Sequence, residues 1–432
     1  MNFQIAPGGV LRGRVRVPGD KSISHRAVIL AAIAEGCSDI EGFLESEDTL
    51  RTVAAFRALG VRIEGPQHGW LRVHGGGLHG LEAPGAALYV GNSGTSMRLL
   101  AGLLAGQRFD SELTGDAALS RRPMRRVTKP LTAMGARVRT SENGTPPLRI
   151  TGASALTGID YRMPIASAQV KSCLLLAGLY ASGRTCVQEP APTRDHTERM
   201  LEGFGWAVER TEGRVCMRGG GRLQGRPIQI PGDLSSAAML MVGAAIAAGS
   251  DLLIEEVGVN PTRTGVVDLL RTMGADVALL RERQVGGEPV ADIRVRARPL
   301  RGVEISPMQV PLAIDELPVV LIAGACAQGE TTLRGAAELR VKESDRIAAL
   351  ADGFAQLGVT AIPTPDGMIV RGGAIAGGRV KSFGDHRIAM AFAVAALRAA
   401  APIVVEDCAN VDTSFPGFVV LARSTGLDIR GT

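Results

Sequence analysis

Aromatic side chains make up only 3% of the 432 residues, and no apolar run is long enough to cross a bilayer. The longest uncharged stretch, Leu234 to Ser250, carries three serines and is closed by Asp233 and Asp251. The opening MNFQIAPGGVLRGRVRV has no apolar segment of the signal-peptide kind, so a cytoplasmic protein with no membrane partner is expected. Stacking aromatics are missing beside the most basic stretch, RRPMRRVTK (Arg121 to Lys129), which argues against a nucleic-acid groove there. There is no C-x-x-C pair. The six cysteines (Cys37, Cys173, Cys186, Cys216, Cys326, Cys408) lie mostly in apolar surroundings and are expected to be reduced, small and buried, without a disulfide framework. His74 and His79 have no acidic cluster nearby, so surface-loop positions and no metal are expected. The glycines at 75–77 lack the strand-to-helix context of a nucleotide-binding loop.

Glycine is abundant, 55 residues, in a chain that is 45% hydrophobic and 21% charged with mean hydropathy +0.14. That is the profile of a tightly packed globular protein. The net charge of +5 suits anionic partners of several kinds, and only the placement of the basic residues can choose among them. At this length, two domains of about 200 residues each are expected.

The sequence repeats itself. The pattern apolar-x-x-apolar-Gly-x-x-apolar recurs as FRALGVRI, LTAMGARV, LEGFGWAV, LRTMGADV and FAQLGVTA, and loosely as ARSTGLDI, with glycines at 60, 135, 205, 274, 358 and 426. A glycine between a helical run and an alternating run is what a helix end leading into a strand requires. A second series, Gly36, Gly106, Gly183, Gly249 and Gly329 with Ala400 in the sixth place, interleaves with the first. Six units of two helices and several strands are therefore expected, three in each half. The halves echo directly, VRVPGDKSIS at Val15 to Ser24 against IQIPGDLSSA at Ile228 to Ala237. The Pro-Gly-Asp joints place hinges near 18–20 and 231–233, which makes domain I discontinuous, 1–19 plus 232–432, and domain II residues 20–231.

In each unit a strand leads into an apolar helix, and the junction is polar: GDKSISHR, GNSGTSMR, IASAQVKS, GDLSSA, LAIDELP and FGDHRIAM. Helix capping accounts for the Ser, Asp and Asn residues there, but not for Lys21, Arg26, Gln169 or Arg387. Helix N-termini attract anions, and equivalent helix ends opposed across a hinge would line a strongly attractive cleft. Further cations come from loops: Arg121, Arg122, Arg194, Lys342 and Arg346. The last two, four apart, share a face if their segment is helical.

The segments PGDKSISHR, GNSGTSMR, LTGDAALSRRPM, ASAQVKS, AIDELP, LRVKESDRIA, FGDHRIAMA and TSFP, in this order from about residue 7 to 420, resemble the signature stretches of the 5-enolpyruvylshikimate-3-phosphate synthases. The resemblance implies a two-domain, inside-out α/β barrel of six βαβαββ units with substrates bound in the interdomain cleft. It implies transfer of the enolpyruvyl group of phosphoenolpyruvate to the 5-hydroxyl of shikimate 3-phosphate through a tetrahedral intermediate, by a monomer without cofactor or metal. The two substrates bring about six negative charges together, so a matching set of cations is needed. By resemblance, Lys21, Gly94, Arg122, Gln169, Arg346 and Arg387 would contact phosphoenolpyruvate. Lys21, Ser22, Arg26, Ser167, Ala168, Gln169, Arg194, Asp315 and Lys342 would contact shikimate 3-phosphate. Asp315 would take the 5-hydroxyl proton, while Glu343, with Lys21, would handle the proton at C3.

The sequence departs from the commonest family pattern at two of these places. Ala168 stands where many members carry a second serine, and Ser414 where many carry a lysine. Both departures, with DHTER at 195–199, resemble the second, divergent class of the family, which includes inhibitor-tolerant enzymes; Gly94 resembles the sensitive ones. The related UDP-N-acetylglucosamine enolpyruvyl transferases would show Lys-Asn where this chain has Lys21-Ser22, and commonly a cysteine in the loop that here reads Ala118-Leu119-Ser120-Arg121.

Overall fold

A computed structural model of the chain describes residues 1–153 and 155–432. It divides into two compact units. The first comprises Met1–Pro18, Pro231–Gln284 and Pro289–Thr432; the second comprises Gly19–Ile230 and Val285–Glu288. In chain order the helices are α1 (Lys21–Ala32), α2 (Glu47–Ala58), α3 (Gly94–Ala105), α4 (Arg125–Ala133), α5 (Ala168–Gly178), α6 (His196–Gly203) and α7 (Leu234–Ile246). They continue with α8 (Gly265–Thr272), α9 (Val310–Ala313), α10 (Leu317–Ala325), α11 (Arg346–Gln356), α12 (His386–Ala395) and α13 (Phe418–Thr425).

Among the described residues the strands form six four-stranded sheets, three in each unit. Each has an edge strand parallel to its neighbour, which pairs antiparallel on its other side, as in Leu88–Tyr89, Ser111–Thr114 and Leu148–Thr151. Three sheets are completed by a strand from far along the chain. Arg12–Arg16 lies parallel to Asp251–Gly258, and Ile228–Gln229 lies parallel to Glu35–Glu41. Phe3–Ile5 runs antiparallel to both Ile403–Glu406 and Ile429–Gly431. These exchanged strands are why the first unit holds both ends of the chain.

Helices α1, α3 and α5 form the centre of the second unit, and α7, α10 and α12 that of the first. Their sequences are apolar all round, as in LSSAAMLMVGAAI, and all thirteen residues of α7 are buried. The remaining longer helices bury one face only; α4, for example, buries Val127, Thr128, Pro130 and Leu131. Small residues let the central helices approach. A Cβ on Gly102 of α3 would stand 2.0 Å from the carbonyl oxygen of Cys173 in α5, so only hydrogen fits.

The six glycines of the first repeat series all have positive φ, between 72° and 118°. The second series does the same at Gly36, Gly183, Gly249 and Gly329 but not at Gly106, whose φ is −90°. There the small residue answers packing instead, because a Cβ would lie 2.2 Å from the Tyr180 ring.

The cysteine expectation fails in two places. Cys186 and Cys216 are direct partners on the antiparallel strands Arg184–Gln188 and Arg214–Arg218 and form a disulfide. Strand register brings them together across 30 residues of sequence, a spacing that no local motif announces. Cys37 is exposed, with Sγ 3.2 Å from Nδ1 of His74. His74 itself sits in the strand Trp70–Gly76 rather than in a loop, with Nε2 2.8 Å from Oε1 of Glu64. Among the described residues, no three His, Cys, Asp or Glu side chains are grouped so as to hold a metal, and no helix is long and apolar enough to cross a membrane.

Candidate active site

Five of the six central helices begin on a side chain that accepts an N–H of the first turn. Asp20 takes it from Ile23, Ser93 from Ser96, Ser167 from Val170, Asp233 from Ser235 and Asp385 from Arg387. The exception is α10, which opens on Leu317-Pro318. Asp315 lies in the turn between α9 and α10, one residue before the N-cap Glu316, so capping does not explain it. Capping satisfies one N–H per helix and leaves the rest of the positive helix end to attract anions.

In the second unit, Lys21 Nζ lies 2.9 Å from Asp48 Oδ2. Arg26 is 4% exposed and donates to Thr197 Oγ1 at 2.7 Å, Ser172 Oγ at 2.7 Å and the Ser22 carbonyl at 2.9 Å. Burial pushes its pKa down to about 10, Glu198 and Asp20 oppose that, and Arg194 adds to it, which places Arg194 within electrostatic reach. Gln169 accepts from Arg98 Nη1 at 2.7 Å and donates to Thr95 Oγ1 at 2.9 Å. Arg122, almost buried, donates to Asn92 Oδ1 at 2.6 Å. A Cβ on Gly94 would lie 2.7 Å from Arg98 Nη1 and 3.0 Å from Arg122 Nη1, so Gly94, Arg98, Arg122 and Gln169 form one group. Ser167 and Ala168 open α5 beside it.

The first unit carries Asp315, Lys342, Glu343, Arg346 and Arg387. Asp315 Oδ1 is 3.5 Å from Lys342 Nζ and 3.4 Å from Arg346 Nη1. Arg346, 1% exposed, also reaches Glu343 Oε2 at 2.7 Å and Asp385 Oδ2 at 2.8 Å. Burial alone would lower its pKa, but Asp385, Glu343 and Asp315 outweigh burial and raise it. Burial would raise the pKa of Asp385, but Arg346 outweighs that and holds the carboxyl below the usual carboxylate range. Arg387 Nη1 lies 4.0 Å from Glu316 Oε1, and Glu316 accepts from Ser235 Oγ. Arg263 Nη2 in turn donates to Asp233 at 3.0 Å and to Ser235 at 2.6 Å.

The segment holding Lys342 and Arg346 is not one helix, so the condition for a common helical face is not met. Lys342 is extended, and α11 starts only at Arg346 behind the cap Asp345. The two cations meet because both turn onto Asp315, not because of helical spacing. Ser414, where a lysine is common, is buried and follows the short 3-10 turn Ala409–Thr413.

The structure thus gathers Gly94, Arg122 and Gln169 into one group, places Ser22 and Arg26 on α1, and draws Asp315, Lys342, Glu343 and Arg346 into another. Asp48, Arg98, Thr197, Glu316 and Asp385 stand in these groups without having been singled out from sequence. Arg98 ends the quoted stretch GNSGTSMR, Asp385 stands in FGDHRIAM, Glu316 in LAIDELP and Thr197 in DHTER, so a signal existed for all four. Asp48 lies 27 residues from the cation it holds, and nothing local marks it.

Cations gathered in two groups, one of them around Asp315, suit acid–base chemistry on small phosphorylated acids. Comparison with known proteins narrows this. The sequence model described as EPSP synthase (3-phosphoshikimate 1-carboxyvinyltransferase) matches residues 5–421. A 3-phosphoshikimate 1-carboxyvinyltransferase of Methylococcus capsulatus is 66% identical over 428 residues, covering 99% of this chain and 98% of that protein. One from Legionella pneumophila is 56% identical over 430 residues, covering 100% and 99%. The solved EPSP synthase of Acinetobacter baumannii superposes with TM-score 0.90 at 54% identity, covering 99% of each chain. The enolpyruvyl transferase NikO of Streptomyces tendae shares the fold, with TM-score 0.79 at 20% identity over 100% of this chain and 98% of its own. The chain belongs to the EPSP synthase family, the 3-phosphoshikimate 1-carboxyvinyltransferases.

Proposed function

We propose that this enzyme joins phosphoenolpyruvate to shikimate 3-phosphate through the two residue groups described above, acting together on one substrate pair. Lys21, Ser22, Arg26, Ser167, Ala168, Gln169, Arg194, Asp315 and Lys342 hold shikimate 3-phosphate. Lys21, Gly94, Arg122, Gln169, Arg346 and Arg387 hold phosphoenolpyruvate. The joints near 18–20 and 231–233 act as hinges, and the protein works as a cytoplasmic monomer.

In this mechanism Asp315 accepts the 5-hydroxyl proton as that oxygen attacks C2 of phosphoenolpyruvate. Glu343, assisted by Lys21, delivers a proton to C3, which gives the tetrahedral intermediate. A proton then leaves C3 as the C2–phosphate bond breaks, restoring the double bond in the product. Each substrate carries a carboxylate and a phosphate, and arginine forks bind both without losing charge.

The single observation that carries this reading is the convergence of Lys342 and Arg346 on Asp315, at 3.5 and 3.4 Å, with Glu343 held at 2.7 Å from Arg346. Two carboxylates stand beside these cations, which keep them ionised, as suits Asp315 as a base; Glu343 carries a proton only once the bound anions offset its cations. The test is release of phosphate from phosphoenolpyruvate, which should require shikimate 3-phosphate and be poorly supported by shikimate. Equal release without an acceptor would overturn the proposal.

A further inference from the structure

Beneath the proposed shikimate 3-phosphate ligands of the second unit lies a buried ion group that the mechanism does not use. Lys171, on α5, is 1% exposed, and its Nζ meets Glu198 Oε1 at 2.7 Å and Glu189 Oε2 at 2.9 Å. It also donates to the carbonyl of Thr193 at 3.4 Å. Thr193 Oγ1 in turn donates to Glu189 Oε1. Burial works against the ammonium, yet the two carboxylates outweigh it and raise the Lys171 pKa.

We propose that Lys171 is a positioning residue for shikimate 3-phosphate, fixing the loop 189–195 so that Arg194 meets the ligand. The inference rests on the reading of Arg194 and Arg26 as ligands of that substrate. Lys171 sits two residues after Gln169 and four after Ser167 on α5, and it grips the loop both at its start, Glu189, and at the residue before Arg194. Glu198 carries the grip into the first turn of α6, directly behind that loop. One side chain therefore ties together the two segments that carry Ser167, Gln169 and Arg194.

The charges support the same conclusion. Glu189 and Glu198 exceed Lys171 by one negative charge, and Glu198 is the foremost carboxylate favouring charged Arg26. Lys171, Arg26, Glu189 and Glu198 together are neutral. Removing only the ammonium would leave two buried carboxylates facing each other, and the loop, rather than the packed helices, is the part free to give way.

The experiment measures both Michaelis constants and turnover for Lys171→Met, Lys171→Met/Glu189→Gln and Arg194→Ala. Lys171→Met should raise KM for shikimate 3-phosphate by about tenfold or more, with KM for phosphoenolpyruvate and kcat within about threefold of the parent. A general loss of structure would move all three constants. The double variant restores neutrality and should recover most of the lost affinity. Should Lys171→Met not fold, Glu189→Gln alone carries the test, with an expected rise of about threefold to tenfold in the same constant. An unchanged KM in Lys171→Met, or no recovery in the double variant, overturns the inference. Arg194→Ala separates the two levels: if it leaves KM for shikimate 3-phosphate unchanged, the ligand assignment itself has failed.

Discussion

Substituting Asp385 by alanine tests the most buried ion pair of the site. The carboxylate has no exposed surface, meets Arg346 Nε at 2.8 Å, accepts from Ser344 Oγ at 3.1 Å and caps α12 through Arg387 N at 2.9 Å. Breaking a buried pair by removing one partner costs about 3–5 kcal/mol. Here Glu343 at 2.7 Å and Asp315 at 3.4 Å still neutralise Arg346, so a figure below that range, about 2 kcal/mol, is expected. Loss of the cap adds about 1 kcal/mol. A total near 3 kcal/mol corresponds to about 6–12 °C in the thermal midpoint of a unit of about 200 residues. Calorimetry at pH 7 would measure it. The pH dependence has a definite sign: the folded pKa is depressed, so the stabilisation is fully present above the unfolded value of about 3.9 and is lost as pH falls through the folded one. The gap between parent and Asp385→Asn should therefore shrink on acidification below about pH 4. The asparagine oxygen can still cap α12, so its deficit at pH 7 should be smaller than that of alanine by the capping contribution. A shift under about 2 °C for alanine, or an asparagine gap that widens in acid, would refute the reasoning.

Asp315→Ala and Lys21→Ala should each lose at least about a hundredfold in turnover, the scale for removing acid–base help, and near-normal turnover in either would strip that residue of its role. Gly94→Ala puts a methyl within 2.7 Å of Arg98 Nη1 and 3.0 Å of Arg122 Nη1, so both guanidinium groups must move. KM for phosphoenolpyruvate should rise by about tenfold, with KM for shikimate 3-phosphate within about threefold, and an unchanged pair of constants would show that the arginines yield without consequence. Limited alkylation of the native protein should label Cys37 first, because it is exposed beside His74, while burial pushes Cys326 and Cys408 up to about 12. Peptide mapping that finds Cys326 or Cys408 labelled first would contradict this.

The parts of the fold legible in sequence are those set by local backbone chemistry. The glycine after each helix marks the repeat because its φ is positive at all six places, whatever the distant chain does. Helix starts were readable for the same reason: Asp20, Ser93, Ser167, Asp233 and Asp385 cap their own first turns. What failed depended on register or on a turn without a signature. Cys186 and Cys216 meet because two strands align one way rather than another. The spacing of Lys342 and Arg346 gives a shared face only if their segment is helical, and the chain turns into α11 only at Arg346, so the contact arises through a third residue. Gly106 fitted its series by position while serving a packing need set by Tyr180, 74 residues away.

The same division separates the proposed substrate-binding residues from the groups that hold them. Lys21, Arg26, Gln169 and Arg387 stood out because they interrupt capping stretches in which charge or amide is unnecessary. Their partners did so less: Arg98, Glu316 and Thr197 stand in quoted stretches without a contact that sequence could assign, and Asp48 looks ordinary where it stands. Yet those partners decide what the cations can do. An exposed lysine or arginine is screened by salt and disordered by its own rotamers, whereas Arg26 and Arg346 are buried and oriented before any ligand arrives. Orientation in advance is what lets binding energy go into the reaction rather than into ordering the site. The net charge of +5 is therefore a poor guide to this protein's affinity for anions. A few buried cations, each held by a carboxylate, hydroxyl or amide from elsewhere in its unit, matter more than the exposed excess, including the exposed Arg121 and Arg125 beside the buried Arg122.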